Sequence, residues 1–195
     1  AMTKAPDILI IGGAMMGSSL AWWLTRDPGA AGQVVVIERD PSYAHAATTH
    51  TNSCIRQQFG QAVNIRISQY GAEFIRGFRD IMGPDAPDIP IRSFGYLYLA
   101  GTDAFAESLR ANQALQAALG AGTRLLTPDQ IAADYPFYAL DDIVLGSHNP
   151  VDEGYFDGGT IFDWFRKRAR AQGATFLKGE VAGLTRDGGR ITGVT

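Results

Sequence analysis

The residue pattern with the clearest chemical meaning is a cluster of glycines near the start of the chain. It reads Gly12-Gly13-Ala14-Met15-Met16-Gly17. In a turn of this spacing the first glycine makes a tight bend, the middle position lets the backbone approach a pyrophosphate, and the last glycine allows a helix to pack closely on a strand. Ala14 holds the middle position, where its methyl group narrows the gap. The candidate phosphate-binding residues are Gly12, Gly13, Ala14, Met16 and Gly17.

A carboxylate follows this turn in the place that a dinucleotide-binding unit requires. Glu38 ends the next apolar run, where its two oxygens can accept both hydroxyl groups of an adenosine ribose. A negative charge there would repel the 2′-phosphate of NADP, which leaves NAD and FAD open. The alternative is a turn whose glycines serve packing alone. The placement of Glu38 favours dinucleotide binding.

Three elements must position these residues. Asp7–Gly12 (DILIIG) is a continuous apolar run, typical of a strand buried on both faces of a parallel sheet. Met15–Arg26 has helical character, and Asp27-Pro28-Gly29 ends that helix. Gln33–Glu38 (QVVVIE) is a second strand. Strands joined by so short a crossover are parallel and the crossover is right-handed, so the sequence predicts an α/β fold with a Rossmann-like domain.

The rest of the chain alternates between helices and short strands. Residues Arg39 to Gln61 show no periodicity, which is typical of a functional loop or a disordered segment. Further helices are predicted at Asn64–Ile81, at Asp103–Leu119 and at Thr160–Ala171. A short helix is also predicted after Thr127, the expected N-cap residue, with Pro128 at its first position. Strands are predicted at Ser93–Ala100, Ile143–Gly146, Thr175–Lys178, Glu180–Leu184 and Ile191–Thr195, with a hairpin turn at Asp187-Gly188-Gly189.

Three acidic residues cluster in the turn-rich stretch NPVDEGYFDGG. They are Asp152, Glu153 and Asp157. Paired carboxylates can act as a general acid and a general base, as in glycoside hydrolysis. Acidic side chains are also common in turns, where they bind nearby backbone N–H groups. We interpret these three residues as turn formers.

Composition limits the class of protein. A formal net charge of -3 gives no reason to expect binding to nucleic acid or to an anionic membrane. Cys54 is the one cysteine, so we expect a plain buried thiol and a reducing compartment. The sequence shows no secretory leader and no apolar span of membrane length, which predicts a cytoplasmic protein. The three histidines lack metal-ligand spacing, so no metal site is predicted.

Several longer stretches resemble a known family. IIGGAMMGSSLAWWL, VVVIERDPSYAHAAT, IRQQF, FGYLYLA and RAQGATFLKGEVAGLTRDGGRITGV are similar to segments of the D-amino-acid oxidase (DAO) family of FAD-dependent oxidoreductases. The resemblance is closest to the branches that oxidise sarcosine and dimethylglycine and to the FAD-dependent oxidoreductase domain-containing branch. It runs through nearly the whole chain, and ERDPSYA followed by IRQQF is its most specific part.

The resemblance implies a two-domain flavoprotein. Residues 3–92 would form the first segment of an FAD-binding domain, residues 93–153 the first part of a substrate domain with an antiparallel sheet, and residues 154–195 a second segment of the FAD-binding domain. Members of this family are about twice as long as this chain. We therefore expect the natural polypeptide to continue after Thr195.

The resemblance also implies roles for single residues. Glu38 and Arg39 would meet the adenosine, Thr48 and Thr49 would lie over the pyrophosphate, and the main chain of Val181 would contact the adenine. These side chains and the glycine turn form the predicted FAD site.

Arg56 lines up with an arginine that lies on the substrate side of the flavin in amine-oxidising relatives. Its planar guanidinium can bind a carboxylate with two hydrogen bonds and stays charged. The alternative is an arginine that serves the surface or the packing of domains. Ser53-Cys54 replaces a Gly-Gly pair that often precedes this motif, so the backbone here is less free than in those relatives.

These observations lead to one main hypothesis and two alternatives. The main one is an enzyme that oxidises the C–N bond of a small amine or N-substituted amino acid with FAD as cofactor. One alternative is a flavin-binding scaffold or assembly factor without catalysis, for which the departures at Ala14 and at Ser53-Cys54 leave room. The other is an NAD-dependent dehydrogenase. The sequence names neither the substrate nor the electron acceptor.

Overall fold

The computed structural model describes residues 5–195 and divides them between two compact units. Unit 1 contains the chain up to Thr51 together with Gly158–Thr195, and unit 2 is Asn52–Asp157. Residues 3 and 4 of the first predicted domain segment lie outside the described residues. No helix in the described part of the chain is both long enough and apolar enough to cross a membrane.

Strands and helices alternate along the chain, as expected for a mixed α/β fold. In chain order they are β1 (Ile8–Ile11), α1 (Met15–Thr25), β2 (Val34–Glu38), β3 (Cys54–Ile55), α2 (Ala62–Arg76), α3 (Phe78–Met82), β4 (Tyr96–Ala100), α4 (Asp103–Ala118), β5 (Arg124–Leu126), α5 (Pro128–Asp134), β6 (Leu145–Asn149), β7 (Gly154–Tyr155), α6 (Gly158–Ala171), β8 (Thr175–Lys178), β9 (Leu184–Asp187) and β10 (Arg190–Val194).

Unit 1 is built on a parallel sheet with the strand order β1-β2-β8. Ile8 pairs with Val34, and Val35 pairs with Thr175. Val34, Val35 and Val36 of β2 are almost fully buried. Burial on both faces of the sheet explains why the strand begins with a continuous run of valines. Helices α1 and α6 pack together through Trp22 and Phe165, whose ring centroids are 5.3 Å apart. The predicted strand–helix–strand unit is confirmed.

One predicted strand of unit 1 is wrong. Residues 180–183 are not in a strand, because Gly179 donates its N–H to the carbonyl of Glu38 and the chain then leaves the parallel sheet. The next strand, β9, begins at Leu184 and pairs with β10 in the predicted hairpin around Gly188. The segment between these points lines a cavity described below.

Unit 2 contains an antiparallel sheet with the strand order β4-β6-β5 and a separate pair, β3-β7. Helix α4 packs on the larger sheet, where Ala106 and Leu109 meet Ala100 and Leu145 in an apolar cluster. The predicted helix over 64–81 is in fact two helices. The break lies at Gly77, because glycine has no side chain to restrict its backbone and is therefore a poor helix former.

The compact units divide the chain at different points from the predicted domains. Residues 52–92 belong to unit 2, whereas a boundary between residues 92 and 93 is predicted. The physical reason is the pairing of Cys54 with Tyr155 and the hydrogen bond from Phe156 N to Ser53 O, at 3.0 Å, which join the two ends of unit 2. Assignment of these residues to FAD-binding or substrate domains stays a prediction.

Candidate functional site

The turn between β1 and α1 requires glycine at two positions. Gly12 has a φ of +91°, in the left-handed region that side chains disfavour. Gly17 lies against the carbonyl group of Gly12, and a Cβ atom at Gly17 would overlap that oxygen. The first turn of α1 therefore packs directly on the end of β1, as a dinucleotide-binding turn requires.

The N-terminus of α1 is capped from the loop that follows β2. Ala14 is the N-cap residue and makes no side-chain hydrogen bond, whereas the Oγ1 atom of Thr48 accepts from Met15 N at 3.2 Å. No acidic residue occupies the first turn of the helix itself. Thr48 lies where the pyrophosphate is expected. Met16 is 83% exposed.

Glu38 is fixed by two backbone N–H groups. Its Oε2 atom accepts from Gly13 N and its Oε1 atom accepts from Asp40 N, both at 2.8 Å. Each carboxylate oxygen has two lone pairs, so each keeps one acceptor position for a hydroxyl group. The carboxylate is thereby oriented before any ligand binds.

A cavity of about 360 Å³ opens beside Glu38 within unit 1. Its lining includes four of the predicted cofactor-binding residues, Gly12, Glu38, Arg39 and Val181. The volume falls in the range of small-molecule sites. A cation, an oriented carboxylate and main-chain groups surround the space, and this donor set fits the adenosine half of FAD.

Tyr43 is a lining residue that the sequence pattern did not single out. It is buried, has a φ of 57°, and its Oη atom is 3.1 Å from where a Cβ of Gly13 would be. The hydroxyl of Thr49 donates to the carbonyl of Tyr43 at 2.7 Å. Thr49 therefore holds the turn that carries Tyr43. The aromatic residue in ERDPSYA, after a proline, is the signal that could have revealed it.

Arg56 belongs to unit 2 and lies among aromatic rings. Its guanidinium carbon is 4.8 Å from the ring centroid of Phe59 and 5.7 Å from that of Tyr96. The Nε atom is buried and has no hydrogen-bond partner among the residues that the structure describes. Aromatic faces stabilise a cation but do not satisfy its N–H groups, so Arg56 can still bind an anion.

The residues before Arg56 correct one expectation. Cys54 is exposed, so the predicted buried thiol is wrong. A hydrogen bond with Cys54, together with burial, raises the pKa of Tyr96 to about 12, which keeps the phenol neutral. Ser53 has a φ of 49°, in the left-handed region that glycine adopts without strain.

Glu153 is the functional candidate that the sequence pattern concealed. Its interpretation as a turn former is wrong, because the side chain is fully buried. Burial raises the pKa of this carboxyl, and hydrogen bonds from Gln58, Gln57 and Asn149 oppose that shift. Its neighbour Asp152 instead forms an ion pair with Arg76. A fully buried carboxylate held by several donors needs an explanation beyond turn formation.

Comparison with known proteins assigns the chain to a family. Residues 7–195 match the family described as DAO, FAD dependent oxidoreductase. This match includes nearly every residue of both units. Because the family is FAD-dependent, the open choice between NAD and FAD is decided in favour of FAD.

A curated relative agrees with this match. FAD-dependent oxidoreductase domain-containing protein 1 from Xenopus laevis is 35% identical over 199 residues, which cover 95% of this chain and 40% of the relative. The chain therefore spans less than half the length of this relative.

Two solved structures are similar to the chain. L-proline dehydrogenase from P. horikoshii has a TM-score of 0.80 at 26% identity, covering 99% of this chain and 49% of that one. Glycine oxidase from Bacillus cereus has a TM-score of 0.71 at 20% identity, covering 97% and 51%, a likeness that shows the fold alone. The predicted family and cofactor are confirmed, and the chain belongs to the DAO family of FAD-dependent oxidoreductases.

Proposed function

We propose that the full-length protein oxidises the C–N bond of a small amine or N-substituted amino acid that carries a carboxylate. When bound, FAD supplies the two-electron redox chemistry of the reaction. Arg56 carries the proposal, because it is a half-buried cation that packs on two aromatic rings and forms no ion pair within residues 5–195. Its role is to bind the carboxylate of the substrate and so orient the C–N bond.

The cofactor is held, in this proposal, by residues of unit 1. Glu38 and Arg39 bind the adenosine, and the main chain of Val181 contacts the adenine. The glycine turn from Gly12 to Gly17, with Thr48 and Thr49, holds the pyrophosphate. The shared cavity and the contact between Thr48 and the start of α1 support this assignment. Residues 93–153 are proposed as the first part of the substrate domain.

The names of similar proteins support the substrate class. L-proline dehydrogenase and glycine oxidase are both named for amino acids, in which a carboxylate lies one carbon from the nitrogen. A planar guanidinium recognises such a carboxylate through two parallel hydrogen bonds. The aromatic rings of Phe59 and Tyr96 pack against the guanidinium of Arg56 and lower its exposure to water, which strengthens that interaction.

Anaerobic reduction of the flavin tests the proposal. L-proline, glycine and sarcosine are added separately to the purified full-length flavoprotein, and loss of the yellow flavin colour is recorded. We expect at least one amine to bleach the protein, and turnover with oxygen or with a dye then separates an oxidase from a dehydrogenase. Bound FAD without bleaching by any of the three would contradict the proposal and favour the scaffold.

The variant Arg56→Ala identifies the carboxylate-binding group. We expect KM for the amino acid to rise about a hundredfold, because truncation of one partner in a desolvated charge pair costs several kcal/mol. Arg79→Ala is the matched control, since Arg79 forms an exposed pair with Asp88 in the same unit. An unchanged KM in Arg56→Ala would exclude Arg56 as the carboxylate-binding group.

A further inference from the structure

The buried carboxylate of Glu153 binds the backbone directly after Arg56. Its Oε1 atom accepts from Gln57 N at 2.6 Å and from Gln58 N at 3.1 Å. The same oxygen accepts from the side-chain amide of Asn149 at 3.0 Å. Two successive N–H groups that bind one oxygen fix the direction of the main chain at that point.

Gln58 extends these contacts to the second segment that surrounds Arg56. Its side-chain amide donates to Oε2 of Glu153 at 3.0 Å and to the carbonyl of Tyr96 at 2.8 Å. Its Oε1 atom accepts from the hydroxyl of Ser147 at 2.8 Å. The side-chain amide of Gln58 therefore joins the segment that carries Arg56 to the strand that carries Tyr96, and Glu153 holds that amide in place.

These hydrogen bonds matter because no regular secondary structure holds the segment that carries Arg56. Residues 56–59 follow the two-residue strand β3 and form neither helix nor strand, so no ladder of hydrogen bonds fixes them. The guanidinium of Arg56 keeps its place beside Phe59 and Tyr96 only while these main-chain segments keep theirs. The partners that hold Glu153 are amides, and no ion pair joins it to a cation within residues 5–195.

We propose that Glu153 is a positioning residue for Arg56, which fixes the guanidinium in the orientation that binds the substrate carboxylate. The proposal rests on the proposed function of Arg56. Glu153 touches neither the substrate nor the cofactor in this role. It acts by holding the N–H groups of Gln57 and Gln58, and hence the backbone from which the arginine side chain extends. It also holds the side-chain amide of Gln58, which fixes the strand of Tyr96 beside the guanidinium.

Glu153→Gln is the informative variant because it keeps the size of the side chain. The amide retains one acceptor oxygen, but its NH₂ group then faces the side-chain NH₂ of Gln58, and two donors cannot bind each other. Asp152→Asn is the matched control. It makes the same charge change one residue earlier, in an ion pair with Arg76 that is partly exposed to solvent.

Hydrogen exchange tests the contact without a substrate. In full-length holoprotein, we expect the peptide that spans residues 54–59 to exchange about tenfold faster in Glu153→Gln, as loss of a charge-assisted hydrogen bond predicts. Exchange in Asp152→Asn should match the wild type. Unchanged exchange of this peptide in Glu153→Gln would overturn the proposal, whichever amines the protein oxidises.

A double-mutant cycle separates positioning from general stability. We expect Glu153→Gln to raise KM about tenfold with kcat changed less than about twofold, and to have no further effect on KM in the Arg56→Ala background. An equal effect in both backgrounds would show that Glu153 acts independently of Arg56. A normal KM in Arg56→Ala contradicts the proposed function, whereas a normal KM in Glu153→Gln alone contradicts only the role of Glu153.

A second variant covers the case in which Glu153→Gln yields no folded protein. Gln58→Met removes the side-chain links to Glu153, Tyr96 and Ser147 but leaves both backbone N–H groups on Glu153. We expect faster exchange at residues 54–59 and a raised KM that again depends on Arg56. A Gln58→Met protein with wild-type exchange and wild-type KM would overturn the proposal.

Discussion

Glu38 links the backbone of the glycine turn to the predicted ribose site. The hydrogen bond from Gly13 N holds the carboxylate beside the turn, and the bond from Asp40 N holds it at the end of β2. Neither bond uses all of the acceptor capacity of its oxygen. One side chain therefore stabilises the turn and also presents two acceptor positions to the cavity.

The variant Glu38→Gln tests this dual role. The amide places an NH₂ group against one of the two backbone N–H groups and removes the negative charge, so we expect the Kd for FAD to rise about tenfold to a hundredfold. Titration of the full-length apoprotein with FAD, followed by flavin fluorescence, measures the change. Glu107→Gln is the control, because Glu107 pairs with Arg110 on an exposed helix face. A wild-type Kd in Glu38→Gln would exclude Glu38 from the cofactor site.

The sequence revealed Glu38 but concealed Glu153 and Tyr43, for a physical reason. Glu38 ends strand β2, at a position that the dinucleotide-binding pattern defines. Glu153 lies in a stretch of turn residues, and its burial arises from Gln57 and Gln58, which are more than ninety residues away in the chain. Long-range contacts of this kind leave no local periodicity. Tyr43 likewise becomes buried only when Phe162 packs against it.

At the scale of elements, the contact between α1 and β1 determines how close the helix can approach the sheet. Gly17 touches the backbone of Gly12 with no room for a side chain. The helix axis would have to move outward to admit even a methyl group. The position of the α1 N-terminus, and with it the predicted pyrophosphate site, depends on this one missing Cβ atom.

Gly17→Ala should therefore lower both stability and FAD affinity. We expect a loss of about 1–3 kcal/mol in the free energy of unfolding, the usual cost of overpacking. Urea unfolding of the apoprotein and titration with FAD measure the two effects. Gly189→Ala is the control, because a Cβ atom there, in the turn between β9 and β10, would meet no atom within 4 Å. Equal stability of the two variants would contradict the close contact.

Most long elements were predicted, apart from the helix that breaks at Gly77, and the very short strands were missed. The first strand–helix–strand unit, the β9–β10 hairpin turn and the N-cap of α5 agree with the structure. At α5, Thr127 and Gln130 form a reciprocal capping box. Strands β3, β5 and β7 have only two or three residues each, too few to show alternation. They exist because a distant strand supplies their hydrogen bonds.

At the scale of the whole molecule, the two units differ in how the chain builds them. Unit 1 needs two separate segments, since β8 and α6 come from the end of the chain. Unit 2 is continuous from Asn52 to Asp157 and contains its own apolar cluster. The family could be predicted from stretches in both units, whereas the boundary of unit 2 follows from strand pairings that only the structure shows.

We expect residues 52–157 to fold without the rest of the chain. The pairing of β3 with β7 ties the two ends of this fragment, and the hydrogen bonds that hold the buried Glu153 all lie within it. Circular dichroism and urea unfolding should show a single cooperative transition. A shorter fragment, 56–152, lacks β3, β7 and Glu153 and should be less stable. Loss of cooperative unfolding in the longer fragment would contradict the prediction.

The joined ends of unit 2 have an evolutionary consequence. Because its first and last strands are hydrogen-bonded neighbours, unit 2 has the form of an insertion whose entry and exit points are adjacent. An insertion of this kind can diverge, lengthen or be exchanged while the register of β1, β2 and β8 stays intact. Selection for new substrates can thus act on one continuous stretch of the gene without disturbing the residues that surround Glu38.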